Sequence, residues 1–335
     1  MSSIKATDLL RQLKNDLIGK DSERGVTLTY SWLANQFGHF GLGYIPATVL
    51  YFTWMYYWPC SGAAYYSSGV VMLAWTLFEA YNYIGTLYKL SRQNTFQPAW
   101  LNVGFDTATD LLFFYLGSLS SCLLFSHSRG IAITIIVELA ALFFIGTYWY
   151  KVKMYMQQAG FPFQMRLSVW PGTISGGNKK KVQELVAKPG NKHILIIGSP
   201  NSGKTSLGVS LSTEWAIKDS AVVYTTGIKF SSMLSVSDRD LMSQSQKLWS
   251  WRMARAVVID DINCGEPTAN VISPDYFSGL TSDPVYSTQN IEALRDNSFM
   301  WIIGKTLSTR EQEYSWINFL VKCGVDKGNI VVIEL

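Results

Sequence analysis

Between His193 and Leu211 the chain reads HILIIGSPNSGKTSLGVSL, and no other stretch limits its fold so tightly. HILIIG is a short apolar run, rich in β-branched residues, that ends at a glycine; this is the pattern of a buried strand. TSLGVSLSTEWAIK, which continues the chain, reads as a helix. Between them GSPNSGKT fits the spacing G-x-x-x-x-G-K-[ST], with Gly198, Gly203, Lys204 and Thr205 at the fixed places. Strand, tight turn and helix in that order start an alternating arrangement, in which a parallel sheet lies between helices.

The same spacing carries chemistry. Successive main-chain N–H groups of such a turn point inward and form a nest for anionic oxygens. Glycines permit the dihedrals and the close approach, and the helix N-terminus adds partial positive charge. Gly198, Ser199, Pro200, Asn201, Ser202, Gly203, Lys204, Thr205 and Ser206 are therefore the expected nucleotide-binding run. Lys204 would reach the β- and γ-phosphates, and the Thr205 hydroxyl would ligate Mg²⁺. An acidic partner for the metal comes later, in ARAVVIDDIN. Val257, Val258 and Ile259 read as a second buried strand, with Asp260 and Asp261 at its carboxyl end, the side on which open α/β sheets bind ligands. Asp260 is expected to hold Mg²⁺, directly or through water, and Asp261 to orient and polarise the attacking water. The plainer alternative is a pair of turn aspartates after a strand.

Three more strands fit: AVVYTT at Ala221–Thr226, SFMWIIGKT at Ser298–Thr306, and GNIVVIEL at the end. Lys305, Thr306 and Ser308 are candidates for a polar group that senses the γ-phosphate. Arg310, and more weakly Arg295, are candidates for an arginine finger offered to a neighbouring subunit, with an ordinary surface arginine as the alternative.

The part of the chain before the glycine turn is written differently. Hydrophobic residues make up 48% of the whole and charged residues only 16%, against roughly 25% in a usual soluble chain, and the apolar excess falls before about residue 158. A helix needs about 20 mostly apolar residues to cross a bilayer. Four stretches qualify: Gly41–Trp58, which Pro46 and several glycines weaken, Ala63–Gly85, Ala108–Phe125 and Ile131–Tyr150, the strongest. Tyr56, Tyr57, Trp58, Tyr148, Trp149 and Tyr150 crowd span ends, where amphipathic rings favour the interface. The N-terminus reads as a short polar helix with no secretory signal. Lys5, Arg11, Lys14, Lys20 and Arg24 precede the spans, Lys89 and Arg92 follow the second, and Lys151, Lys153 and Arg166 follow the last; only Arg129 falls on the other side. The positive-inside rule then puts both ends in the cytoplasm. Glu79 and Glu138 lie inside spans, where charge is costly. They would either line an ion or proton path or, the reading we favour, fix helix packing. Asp106 and Asp110 sit at the start of the third span.

QQAGFPFQMRLSVWPGTISGGNKKKVQELVAKPGNKH joins the halves as a linker with a short helical pattern in KKVQELVA. A net charge of +4 gives no polybasic surface, so no nucleic-acid partner is expected. Cys60, Cys122, Cys264 and Cys323 show neither zinc spacing nor a disulfide framework, and free buried thiols are expected.

ILIIGSPNSGKTSLGVSLSTEWAIKDSAVVYTTGIKFSSML followed by AVVIDDI resembles the AAA+ ATPases of the initiator, helicase-loader and IstB-type transposition-helper branch, over about residues 180–310. The resemblance implies ATP and Mg²⁺ binding, slow hydrolysis and nucleotide-dependent homo-oligomers. It would assign Lys204 and Thr205 to phosphates and metal, Asp260 to metal and Asp261 to hydrolysis. Those relatives carry a helical lid after the last strand, and the sequence here stops at Leu335; membrane spans are foreign to that branch. The expected architecture is thus an α-helical transmembrane bundle of about four spans plus an α/β P-loop NTPase domain, with a five-stranded, mostly parallel sheet and no C-terminal helical lid. The expected boundaries are a cytoplasmic segment at 1–40, a membrane domain at 41–152, a linker at 153–190 and the ATPase domain at 191–335. The function expected is a membrane-anchored ATPase of the inner or plasma membrane, which assembles, gates or remodels a membrane protein or secretion apparatus. A nucleotide-gated channel and a nucleotide-binding scaffold with little hydrolysis are the alternatives.

Overall fold

The computed structural model describes residues 3–18, 25–93, 95–187, 190–263, 272–305 and 309–335. The chain divides into two compact units. One is built from residues within Thr7–Gln93 and Gln97–Lys153, the other from residues within Met1–Ala6, Asn94–Phe96 and Met154–Leu335.

The first unit is helical. Its elements are α1 (Ala6–Ile18), α2 (Leu28–Tyr57), α3 (Ala63–Gln93), α4 (Trp100–Ser126) and α5 (Arg129–Ala159) as far as Lys153. α1 is the expected polar helix; its Asp16 is buried and accepts hydrogen bonds from Tyr150, Gln12 and Thr27. Thr27 caps α2, its hydroxyl accepting from Tyr30 N, so this helix starts at Leu28 and not at the expected 41. Residues 28–40 of the expected N-terminal segment are therefore part of the first long helix. Pro46 lies inside it and does not end it. Proline removes the N–H that would bond the carbonyl four residues back, that of Leu42. The indole N–H of Trp75 on α3 donates to that carbonyl at 3.0 Å and satisfies it.

α2 and α4 cross at two glycines. A Cβ on Gly43 would fall on the carbonyl oxygen of Phe114, and one on Gly117 on that of Phe40. Small residues allow this approach, and hydroxyls bridge the helices around it. Ser118 Oγ donates to Gly43 O (3.3 Å), Ser68 Oγ to Ser118 O (2.8 Å), and Thr48 and Ser121 share a bond of 2.9 Å.

Four long helices match the four expected stretches in position, but only α4 and α5 are both long and apolar enough to cross a membrane. α2 and α3, of 30 and 31 residues, are as long. Their apolar character is diluted by Asn35, Gln36 and His39 in one and by Glu79, Asn82 and five tyrosines in the other. α5 leaves Ile133, Ile136, Val137, Phe143 and Phe144 exposed.

The second unit is α/β. In chain order it holds α6 (Gly176–Ala187), β1 (His193–Gly198), α7 (Lys204–Ile217), β2 (Val222–Thr226), α8 (Gly227–Met233), α9 (Asp238–Ser245), β3 (Ala256–Ile262), α10 (Gly279–Ser282), α11 (Ser287–Asp296), β4 (Ser298–Gly304), α12 (Thr309–Lys322) and β5 (Ile330–Glu334). The five strands form one sheet in the order β2-β3-β4-β1-β5, and every pairing is parallel. β1 and β4 are buried along their whole length and β3 everywhere but at Asp261, as a parallel sheet covered by helices requires. α7 is buried from Leu207 to Ile217. An aromatic cluster of Phe230, Phe277, Phe299, Trp301 and Trp316 fills the core beside β4.

Of the stretch read as a linker, 153–190, the described residues from Met154 on are part of this unit. Arg166 forks onto Glu214 of α7 at 2.7 and 3.1 Å, and Trp170 is 1% exposed. Sequence spacing gave no sign of these contacts, because their partners lie on a helix further down the chain. Cys122 and Cys323 are buried free thiols, and burial pushes Cys323 up to about 11. Cys60 is exposed, in the turn after α2, where the expectation was burial. Cys264 lies outside the described residues.

Candidate functional site

β1 ends at Gly198 and α7 begins at Lys204, so Ser199–Gly203 form the turn that the spacing predicts. The backbone is left-handed at Asn201 (φ 61°) and Gly203 (φ 85°). Gly203 is the N-cap of α7 and supplies no side-chain bond to it, which leaves the first N–H groups of a 14-residue helix without a cap. Among the described residues, Ser202 Oγ is buried with no hydrogen-bond partner. Pro200 and Asn201 are exposed at the rim. Lys204 Nζ donates to Ser199 O at 2.6 Å and so lies across the turn. A left-handed turn, a helix start with no side-chain cap and an ammonium lying across them fit an anionic group.

The acidic strand meets this turn. Thr205 Oγ1 donates to Asp260 Oδ1 at 3.1 Å, and Asp261 N donates to the same oxygen at 2.8 Å. Tyr224, on β2, donates its hydroxyl to Asp260 Oδ2 at 2.6 Å. Asp260 is 1% exposed, and three donors fix its carboxylate. Burial, then the bond to Asp260, pushes the Tyr224 phenol well above its ordinary value, so it stays a donor. The register of β3 against β4 shifts between Ile259 and Ile262. Such irregularities re-aim side chains. Here Asp261 takes a left-handed backbone (φ 56°) and is exposed. Partial burial, then the neighbouring Asp260, raises its carboxyl above the ordinary range.

β4 lies between β1 and β3, with Gly304 opposite Gly198. Lys305 follows at the same edge; its N–H donates to Gly198 O at 3.0 Å, and its ammonium pairs with Glu334 at 3.8 Å. Thr306 and Ser308 lie outside the described residues. Arg310 is exposed in the first turn of α12, after β4 has ended at this edge. Arg295 is not brought to the turn. It ends α11 beside Leu294, whose carbonyl bonds His193 at the opposite end of β1, and its guanidinium packs on Gly324. In the helical unit, Glu138 is buried with one carboxylate oxygen unpartnered among the described residues, and Glu79 is half-buried with Asp110 and Asp106 as its electrostatic neighbours.

Sequence reasoning missed two residues of the site. Tyr224 was within a predicted strand but was given no role. Trp170 donates its indole N–H to Ser206 Oγ (3.1 Å) and Gly203 O (3.3 Å). No protein-family model matches the chain, and no curated protein matches it.

Proposed function

We propose that the chain is a membrane-associated ATPase, whose nucleotide state assembles, gates or remodels a membrane complex. The observation that carries this is the bond between Thr205 and Asp260. It joins the first turn of the helix after the glycine loop to an acid 55 residues further on, at the edge where the uncapped N–H groups open. The main-chain nest and Lys204 would bind the β- and γ-phosphates of ATP. Thr205 Oγ1 and Asp260 would hold Mg²⁺, which when bound offsets charge on the phosphate oxygens. Asp261, exposed and made more basic by burial and by Asp260, would take a proton from water as the water oxygen bonds the γ-phosphorus. The bond to the bridging oxygen then breaks, and ADP and phosphate leave.

The exposed apolar face of α5 supports lipid contact, and the Lys and Arg distribution supports cytoplasmic termini and a cytoplasmic α/β unit. Tethering raises effective concentration, which favours homo-oligomers and contact with a membrane-protein or secretion-machinery partner. The AAA+ resemblance agrees with this reading, in which Arg310, exposed in the first turn of α12, would serve a neighbouring copy.

The test is ATP turnover and particle mass of the full chain in nanodiscs, with Asp261→Asn beside it. The reading expects Mg²⁺-dependent turnover, larger particles with ATP, and a variant that binds ATP but does not release phosphate. Turnover unchanged in Asp261→Asn would contradict it. A nucleotide-gated channel is the second reading, favoured by the unpartnered carboxylate oxygen of buried Glu138. ATP-dependent ion flux in liposomes that is lost in Glu138→Gln would select it.

A further inference from the structure

Residues 166–172 bind α7 at two places about two turns apart. Arg166 and Leu167 N hold Glu214, the latter at 3.2 Å, and the Trp170 indole holds Ser206 and Gly203. Gly203 O is a focus of three donors: Leu207 N (2.9 Å), Ser206 Oγ (2.9 Å) and Trp170 Nε1 (3.3 Å). The indole also borders Gly203: a Cβ built there would sit 3.5 Å from it. Gly203 is the left-handed residue on which the turn pivots, so the indole braces the turn from outside the nest.

The other side of Trp170 is gripped as well. A Cβ at Gly172 would overlap its ring, so only glycine lets the chain fold back over it. Phe96 packs on it with ring centroids 6.0 Å apart and is 2% exposed, and Thr95 Oγ1 donates to Gly172 O at 3.1 Å. Residues 95 and 96 belong to the segment that joins α3 to α4, yet they are part of the α/β unit. The same indole therefore touches the glycine turn on one side and the α3–α4 connection on the other.

We infer that Trp170 is a positioning residue, which sets the geometry of the glycine turn and ties nucleotide occupancy to the α3–α4 connection through Phe96. The inference rests on the nucleotide reading above. When phosphates draw the turn inward, Gly203 O and Ser206 Oγ move with it, and the indole carries that shift to Phe96 and Thr95.

Full-length protein in nanodiscs tests this with ATP titration and hydrogen exchange at residues 95–99. Wild type is expected to bind ATP and to exchange more slowly at 95–99 when ATP is bound. Trp170→Phe keeps a ring but loses both indole bonds; it should bind ATP about fivefold more weakly and lose the nucleotide effect at 95–99. Phe96→Leu is remote from the turn and should keep ATP affinity while losing the same effect. That split is one that a general loss of packing would not give. Wild-type affinity in Trp170→Phe together with an intact nucleotide effect in Phe96→Leu would overturn the inference and leave the nucleotide reading standing. Failure of the wild type to bind ATP would overturn both.

Discussion

Asp260→Asn is the substitution whose outcome the geometry specifies most fully. Asp260 accepts Thr205 Oγ1 and Asp261 N on Oδ1 and Tyr224 OH on Oδ2. Asparagine has one acceptor oxygen and one NH₂. The main-chain N–H of Asp261 cannot turn to accept, so the oxygen must take the Oδ1 position and the NH₂ the Oδ2 position. There it faces Tyr224, whose hydroxyl can rotate and accept. All three bonds survive, but each loses its charge assistance, which roughly halves it. Three bonds falling from about 2 to about 1 kcal/mol, less the relief of no longer burying a charge, give a net loss of about 2 kcal/mol. For a unit of this size that is roughly 4–8 °C in Tm. Asp260→Ala leaves all three donors without this acceptor and should cost clearly more. The assay is thermal unfolding of the full chain in detergent, with an ATP titration at two Mg²⁺ concentrations. The Asn variant should fold, melt a few degrees lower and lose the Mg²⁺ dependence of ATP binding. Equal losses in Asn and Ala, or an Asn variant with the Mg²⁺ dependence of wild type, would refute the reasoning.

Asp261→Asn should stabilise the fold at neutral pH by up to about 0.5 kcal/mol, read as a small rise in Tm. A carboxyl held above its ordinary range disfavours the folded state as pH rises past its unfolded value, and asparagine suits a left-handed backbone better. His193 is pushed down to about 4, first by burial and against its bond to Leu294 O. The unfolded chain therefore binds the extra proton between about pH 4 and 6.5, and melting curves should show stability falling as pH drops through that window; a His193→Gln variant should show a flatter slope. Gly43→Ala and Gly117→Ala each put a methyl onto a facing carbonyl; each should cost about 1–3 kcal/mol and loosen α2 from α4, read as faster proteolysis in the helical unit.

The parts legible in sequence are those set by neighbours along the chain. β1, the glycine turn and α7 fall within His193–Ile217, and the spacing alone located them. Asp260 and Asp261 were legible because an apolar strand runs straight into them. Tyr224 and Trp170 were not, since each meets its partner across 36 residues, and nothing local marks a tyrosine or tryptophan as a donor rather than as core. Pro46 shows the converse. Its local rule ends a helix, and the rule is offset by Trp75, 33 residues from the Leu42 carbonyl it caps. Arg295 looked available because its charge is visible in sequence, whereas the end of the sheet beside which α11 lies is not.

Titration calorimetry of the full chain with ATP·Mg²⁺, wild type against Lys204→Ala, measures the central claim directly. The account predicts one nucleotide per chain for the wild type, affinity that weakens without Mg²⁺, and no measurable binding when the ammonium across the turn is removed. Equal binding by the two proteins would place the nucleotide elsewhere, and no binding by the wild type would remove the nucleotide site from the account.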